Sequence, residues 1–187
     1  MFIDITESLE CNQMSRPSSA ALPIAYAVLR TLTVLNWIYG AIVLAILVGM
    51  FAAEQWTMRA LGFSPSAQSA SLIIGMRAIP ALGLVAVPLN LAVLKRLLAM
   101  VQTVRTGDPF VATNAYRLQA IAWLLLAQQL LSLAIGLVGK AVSTPAHPLH
   151  LDAGFSPGGW LAVVLTFVLA RVFAEGTLMR EDIEGTV

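Results

Sequence analysis

Four long, uncharged and mostly apolar stretches, separated by short polar segments, dominate the pattern of this chain. They cover residues 31–53, 78–94, 118–139 and 153–170. A helix rises about 1.5 Å per residue and the hydrocarbon layer of a membrane is about 30 Å thick, so about 20 apolar residues cross it. The pattern therefore predicts an all-α integral membrane protein with four transmembrane helices.

The same pattern predicts the domain organisation. A polar N-terminal tail, residues 1–20, precedes a single membrane domain, residues 21–187, with spans at about 31–53, 78–97, 118–139 and 157–174. Only 11% of the 187 residues are charged and 58% are hydrophobic, whereas soluble domains carry about 25% charged residues. No second, soluble domain fits, and the short loops favour a bundle of antiparallel helices.

The basic residues predict the orientation of the bundle. Eight of them fall near the two termini or between the second and third spans: Arg16, Arg30, Lys95, Arg96, Arg105, Arg117, Arg171 and Arg180. The other side holds three, Arg59, Arg77 and Lys140. Because basic residues concentrate in cytoplasmic segments, both termini are expected in the cytoplasm.

The second and third spans carry polar residues inside the predicted hydrocarbon layer. Pro88 predicts a kink, with Asn90 close to the carbonyls that the proline frees. A hinge or polar pocket is one interpretation, and a tolerated kink with Asn90 bonded to a neighbouring helix is the preferred one. Gln128, Gln129 and Ser132 are expected to face the bundle interior, where interhelical hydrogen bonds satisfy them.

Chemistry-bearing motifs are scarce. The outer loop contains His147, His150 and Asp152, which are acceptable metal ligands, but a structural site normally needs four, so a solvated loop is preferred. The sequence contains no nucleophile elbow, phosphate-binding glycine loop or zinc-protease motif. We therefore predict no catalytic residue, no metal and no cofactor, and the protein is not expected to be an enzyme.

The connection between the second and third spans is the most specific segment. Gly107 permits a tight turn, and Asp108 followed by Pro109 predicts a helix start with Asp108 as its N-cap. Asn114 and Arg117 share a helix face. The segment either forms a docking surface or only orders the turn. The candidate interaction residues are Gly107, Asp108, Pro109, Phe110, Asn114, Arg117, Glu175 and Arg180.

Two motifs resemble a known family. The first is Gly107-x-Pro109-Phe110-(x)3-Asn114-(x)2-Arg117-Leu118, and the second is Phe173-x-Glu175-Gly176-(x)3-Arg180-Glu181-Asp182. Both are similar to signatures of the bacterial four-helix membrane proteins filed as domain of unknown function 2975. The resemblance implies four spans, a location in the bacterial inner membrane and no established activity. Family members are often encoded beside a helix-turn-helix regulator, which implies a regulatory partner.

Three functions remain open at this point. The first is a regulatory or interaction protein that contacts a cytoplasmic partner such as that regulator. The second is immunity or stress protection against a membrane-active peptide, for which the small residues Ala41, Ala45 and Gly49 on one face of span one are a candidate surface. The third is small-solute transport through Asn90, Gln128, Gln129 and Ser132, although the spans lack Asp, Glu and His.

The expected partners follow from composition and the predicted location. The lipid bilayer is the first, and a cytoplasmic regulatory protein or a hydrophobic peptide is the second. A net charge of +1 without a Lys/Arg-rich stretch argues against direct nucleic-acid binding. A homo-oligomer remains open.

Overall fold

The structure, a computed structural model, shows four long helices in the residues that it describes. It describes residues 21–53, 56, 70–105, 111–143 and 154–184. The helices are α1 (Ala21–Ala52), α2 (Ala70–Arg105), α3 (Ala112–Val142) and α4 (Pro157–Glu184). All four are long and apolar enough to cross a membrane. The prediction of an all-α fold with four transmembrane helices is confirmed, and the protein is a multi-pass membrane protein. The N-terminal tail, residues 1–20, lies outside the described residues.

The second helix is longer than its uncharged run indicated. It contains 36 residues and continues through both Pro80 and Pro88. Arg77 and Lys95 both lie inside this helix, so charged residues do not mark its ends. The hydrocarbon layer covers the part of the helix between these two residues. Asn36 of α1 donates a hydrogen bond from Nδ2 to the carbonyl oxygen of Val87, immediately before the second proline, at 3.1 Å. The carbonyl that loses its helical donor at Pro88 is that of Leu84, four residues earlier, so the bond to Val87 links α1 to α2 and does not replace the lost one.

The helices are antiparallel and pack only with their neighbours in sequence. Within the described residues, α1 packs on α2, α2 on α3 and α3 on α4, whereas the backbones of α1 and α3, of α1 and α4, and of α2 and α4 do not approach closely. The result is an open row rather than a closed bundle. Lipid chains are as apolar as leucine, so no hydrophobic force drives such a row to close.

Two apolar clusters hold the row together. Met50, Met76 and Val142 pack where α1, α2 and α3 meet, and Leu118, Ile121 and Ala170 pack between α3 and α4 with residues of α2 beside them. The second cluster lies toward the end of the row that carries Arg30, Lys95, Arg105, Arg117 and Arg171, which we call the basic end. Most large apolar side chains of α1 and α4 point outward, as expected for surfaces covered by lipid.

The fourth helix begins deeper in the row than the end of the third helix that carries Lys140. Ser132 of α3 contacts the backbone of Gly154, accepting from its N–H at 3.2 Å and donating to its carbonyl oxygen at 3.3 Å. Ser132 is about 12 Å along the helix from Lys140, where the uncharged part of α3 ends. Non-helical backbone is tolerated at membrane depth only where protein groups or water satisfy it. The Ser132 hydroxyl does this for Gly154.

The start of α4 is encoded locally. Ser156 accepts a hydrogen bond on Oγ from the backbone N–H of Gly159 at 3.3 Å, and Pro157 is the first helical residue. Serine before proline is the preferred order at a helix start, because serine satisfies a free N–H and proline lacks one. Gly154 has a φ of 135°, a conformation that favours glycine.

Candidate functional site

Asn114 occupies the centre of a hydrogen-bond cluster at the basic end. Its side chain is only 1% exposed. Arg117 donates from Nη1 to Asn114 Oδ1 at 3.1 Å, and the hydroxyl of Thr103, on α2, lies 3.0 Å from the same oxygen. We call Thr103, Asn114 and Arg117 the clasp. It joins the last turns of α2 to the first turns of α3.

Arg117 extends the clasp to the backbone of α2. It donates to the carbonyl oxygen of Ala99 at 3.3 Å, while the Thr103 hydroxyl lies 2.7 Å from the carbonyl oxygen of Met100. A cation near the carboxyl end of a helix is also favoured by the helix dipole. Asn114 and Arg117 share one face of α3, as the spacing predicts. That face is turned toward α2, so the buried Asn114 side chain does not form part of an exposed surface.

The predicted start of the third helix is wrong by three residues. The N-cap is Val111, and the helix begins at Ala112, whereas Asp108 was expected to be the cap. Val111 has no side-chain cap, but its carbonyl oxygen accepts a hydrogen bond from the N–H of Asn114 at 2.8 Å. The third helix therefore begins with a backbone hydrogen bond in its first turn and without a capping side chain.

The other candidate interaction residues are not gathered at the clasp. Glu175 is exposed on α4 and forms an ion pair with Arg171 at 2.6 Å. Arg180 belongs to α4, but its side chain lies outside the described residues. Gly107, Asp108, Pro109 and Phe110 also lie outside them. Of the eight candidates, the structure therefore brings together Asn114 and Arg117.

A groove of about 530 Å³ runs between the first turns of α3 and the second half of α4. Four alanines form much of its wall, and Phe167 and Leu178 stand toward its two ends along α4. The polar lining residues are Tyr116, Gln119, Arg171 and Thr177. Sequence reasoning missed this groove. Its signal is the run of alanines at helical spacing, Ala170 and Ala174 on α4 and Ala112 and Ala115 on α3.

The polar residues of the second and third spans pair across the helix interface. Gln128 donates from Nε2 to Oδ1 of Asn90. Asn36, which the sequence reasoning passed over, forms the corresponding link between α1 and α2 through the Val87 carbonyl. An amide inside an uncharged run of 23 residues is the signal that would have found it. These amides serve helix association, since each satisfies a polar group within the apolar layer.

Gln129 and Ser132 face the fourth helix instead. Gln129 packs against Gly159 so closely that a Cβ on that glycine would overlap the amide. Gln129 Oε1 and Trp160 Nε1 are buried and form no hydrogen bond. The two sides of α3 therefore differ in polarity and in how completely their polar groups are satisfied.

Arg77 lies at the opposite end of the row from the clasp. It donates from Nη2 to the carbonyl oxygen of Met50 at 3.2 Å, and its guanidinium lies 4.7 Å from the centre of the Phe51 ring. The last carbonyls of a helix lack partners within it, so Arg77 supplies one at the end of α1.

The remaining candidates form no chemical centre in the described part of the chain. No group of three metal-ligating side chains occurs there, and His147, His150 and Asp152 lie outside it. On α1, Ala41 and Ala45 are exposed and Gly49 is half-buried, so the small face is available on the open edge of the row.

Comparison with known proteins adds no relative. No family model, curated protein or solved structure matches the chain. The resemblance to the domain of unknown function 2975 family thus depends on the motif residues alone. Asn114 is buried and Arg117 half-buried, and the hydrogen bond between them supplies a structural reason for their spacing.

Proposed function

We propose that this protein is a non-enzymatic protein of the bacterial inner membrane that acts by contacting a cytoplasmic partner protein. One observation carries the proposal. The fourth helix continues from Arg171 to Glu184, about 20 Å past the level where the hydrocarbon layer ends. Val172 and Met179 lie on this extension and are 58% and 62% exposed. Exposed apolar side chains beyond the hydrocarbon layer are typical of protein interaction sites.

The depth of the extension rests on the packing between α3 and α4. Ala170 packs with Leu118 and Ile121, so Arg171 lies at the level of Arg117. Arg117 directly precedes one uncharged run and Arg171 directly follows another. Basic residues concentrate at the cytoplasmic boundary of the membrane. Val172 and Met179 are seven residues apart and therefore share one helix face. A helix-turn-helix regulator, which the family resemblance implies, is our preferred partner.

Site-specific photo-crosslinking in cells tests this proposal. We expect a crosslinking residue at Val172 or Met179 to capture one soluble protein, and the double variant Val172→Ser/Met179→Ser to lose it. Val104, on the last turn of α2 at the basic end, is exposed to 39% and provides the matched control. The proposal fails if no soluble protein is captured, or if Val104→Ser loses the partner equally.

A second function, protection against a membrane-active peptide, is supported by the open edge of the row. Ala41 and Ala45 are exposed on α1, where α3 and α4 make no contact. Small residues let another helix approach closely. We expect cells with Ala41→Ile/Ala45→Ile to survive a pore-forming peptide as poorly as a deletion strain. Equal survival of deletion and wild-type strains would count against this function.

Small-solute transport has the least support. Three of the four polar residues proposed for a pathway are engaged in hydrogen bonds with other parts of the protein, Asn90 with Gln128 and Ser132 with the backbone of Gly154. This function would gain support if Gln128→Leu folded normally but lost a transport activity.

A further inference from the structure

The groove between α3 and α4 lies at the depth of the lipid headgroups. Its lining extends along α4 from Phe167 to Leu178, about 16 Å of helix, and Arg171 lies close to the middle of that length. The headgroup layer on each side of a bilayer is about 5–8 Å thick. The groove thus spans the headgroup layer and the adjoining first part of the hydrocarbon.

The lining changes character along the groove in the order that a phospholipid requires. On the hydrocarbon side lie Phe167 and Ala170, which present only apolar surface. At the boundary lie Arg171, Tyr116 and Gln119, which supply a cation, a hydroxyl and an amide. Side chains of these three types donate hydrogen bonds, and a phosphate accepts them.

Arg171 gives the groove a positive charge, and its ion pair with Glu175 neutralises that charge only weakly. Arg171 pairs with Glu175 at 2.6 Å, and the two side chains are 79% and 50% exposed. An exposed pair of this spacing is weak, so a phosphate can compete for the guanidinium. Arg117 lies at the same depth, where the clasp holds it on the α2 side of α3. No acidic residue lines the described groove.

From this arrangement we propose that the groove is a binding site for an anionic phospholipid of the cytoplasmic leaflet. The phosphate binds Arg171 with Tyr116 or Gln119, and the first acyl carbons pack on Phe167 and Ala170. The volume of about 530 Å³ is within the range of small-molecule sites. Basic pockets between membrane helices on the cytoplasmic side recognise lipid headgroups in this manner. The site does not depend on the proposed function, because Val172 and Met179 do not line it.

Native mass spectrometry of the full-length protein in detergent tests the site. The probes are phosphatidylglycerol, phosphatidylcholine with the same acyl chains, and inorganic phosphate alone. We expect phosphatidylglycerol to bind about tenfold more tightly than phosphatidylcholine, because both present the phosphate but the choline cation is repelled by Arg171. Inorganic phosphate is expected to bind much more weakly, because it lacks the acyl chains that use the apolar part of the groove.

Variants localise the binding. Arg171→Ala is expected to lower phosphatidylglycerol affinity about tenfold, and Ala174→Leu, which fills the groove, to abolish it. Lys95→Ala removes an exposed cation at the basic end outside the groove and is expected to bind normally. If Ala174→Leu does not fold, Gln119→Leu replaces it, since Gln119 is exposed. Equal affinities for the two lipids, tight binding of phosphate alone, or undiminished binding by the groove variants would overturn the proposal.

Discussion

The two sides of α3 hold their neighbouring helices by different means. Toward α2, polar side chains are paired: Asn90 with Gln128 at mid-span, and the clasp at the basic end. Toward α4, small residues such as Gly159 and Ala170 meet apolar side chains such as Leu118, and Trp123 and Phe167 form an edge-to-face pair with ring centres 5.2 Å apart. On that side Gln129 Oε1 and Trp160 Nε1 are buried without a hydrogen bond, and the groove opens nearer the basic end.

This difference suggests a division of tasks. A set of satisfied polar bonds in an apolar surrounding defines one register, because any shift leaves buried polar groups without partners. Packing between small residues permits adjustment without that penalty. We therefore expect the α2–α3 interface, which we call the rigid seam, to keep one fixed register. The α3–α4 interface, which we call the adaptable seam, is expected to shift when a ligand binds.

Breaking the clasp is expected to have the largest effect on this comparison. Asn114→Leu removes the acceptor of Arg117 and leaves a half-buried guanidinium with fewer partners, which costs about 2–3 kcal/mol of unfolding free energy. Denaturation in mixed micelles measures the loss. Gln102→Leu, at an exposed position of α2, is the control and should change stability by less than about 0.5 kcal/mol. A small effect of Asn114→Leu would show that the clasp is not the rigid seam.

Adding one methyl group at each of the two interfaces compares how well each one tolerates extra volume. A Cβ on Gly75 of α2 would overlap Val142 of α3, a branched and stiff side chain, so Gly75→Ala should cost about 1–3 kcal/mol. A Cβ on Gly159 of α4 would overlap the flexible amide of Gln129, which can move, so Gly159→Ala should cost less.

Thermal unfolding in detergent measures both variants. Gly158→Ala is the control, because no atom lies within 4 Å of its added Cβ. In addition, Gly75→Ala combined with Val142→Ala should recover stability, since the second change removes the overlapping methyl groups. If Gly159→Ala proves the more costly, the α3–α4 seam is the less adaptable of the two.

The pairing of Asn90 with Gln128 is expected to contribute a moderate coupling energy. A double-mutant cycle of Asn90→Leu and Gln128→Leu should give about 0.6–2 kcal/mol, the range for hydrogen bonds between membrane helices. If the destabilising effects of the two single substitutions simply add, this pair does not contribute to the rigidity of the α2–α3 interface.

The smallest effect is expected from Ser132→Ala. It removes the hydroxyl that satisfies the Gly154 backbone, at about 0.5–1.5 kcal/mol. Hydrogen exchange at Gly154 should rise while exchange in α2 remains unchanged. Faster exchange throughout the protein would instead indicate that this contact supports the whole row.

Much of the fold could be predicted from the sequence, and less of the site. The order and number of helices follow from the apolar runs, since their length depends only on the thickness of the membrane. The partner of Asn90 did not follow, because the sequence marks an amide that needs a partner without saying which helix supplies it. The burial of Asn114 was missed for a similar reason: its spacing with Arg117 defines a shared face but not the direction of that face.

The number and length of the apolar runs were enough to predict an all-α protein that crosses a membrane four times. Periodicity and charge act locally along the chain, so they are readable without a structure. Three features became visible only in the folded molecule: the helices form an open row, the clasp joins the second helix to the third, and a groove lies between the third and fourth. Those features depend on which faces meet, and in a membrane that choice is made by close packing and polar pairing between distant residues.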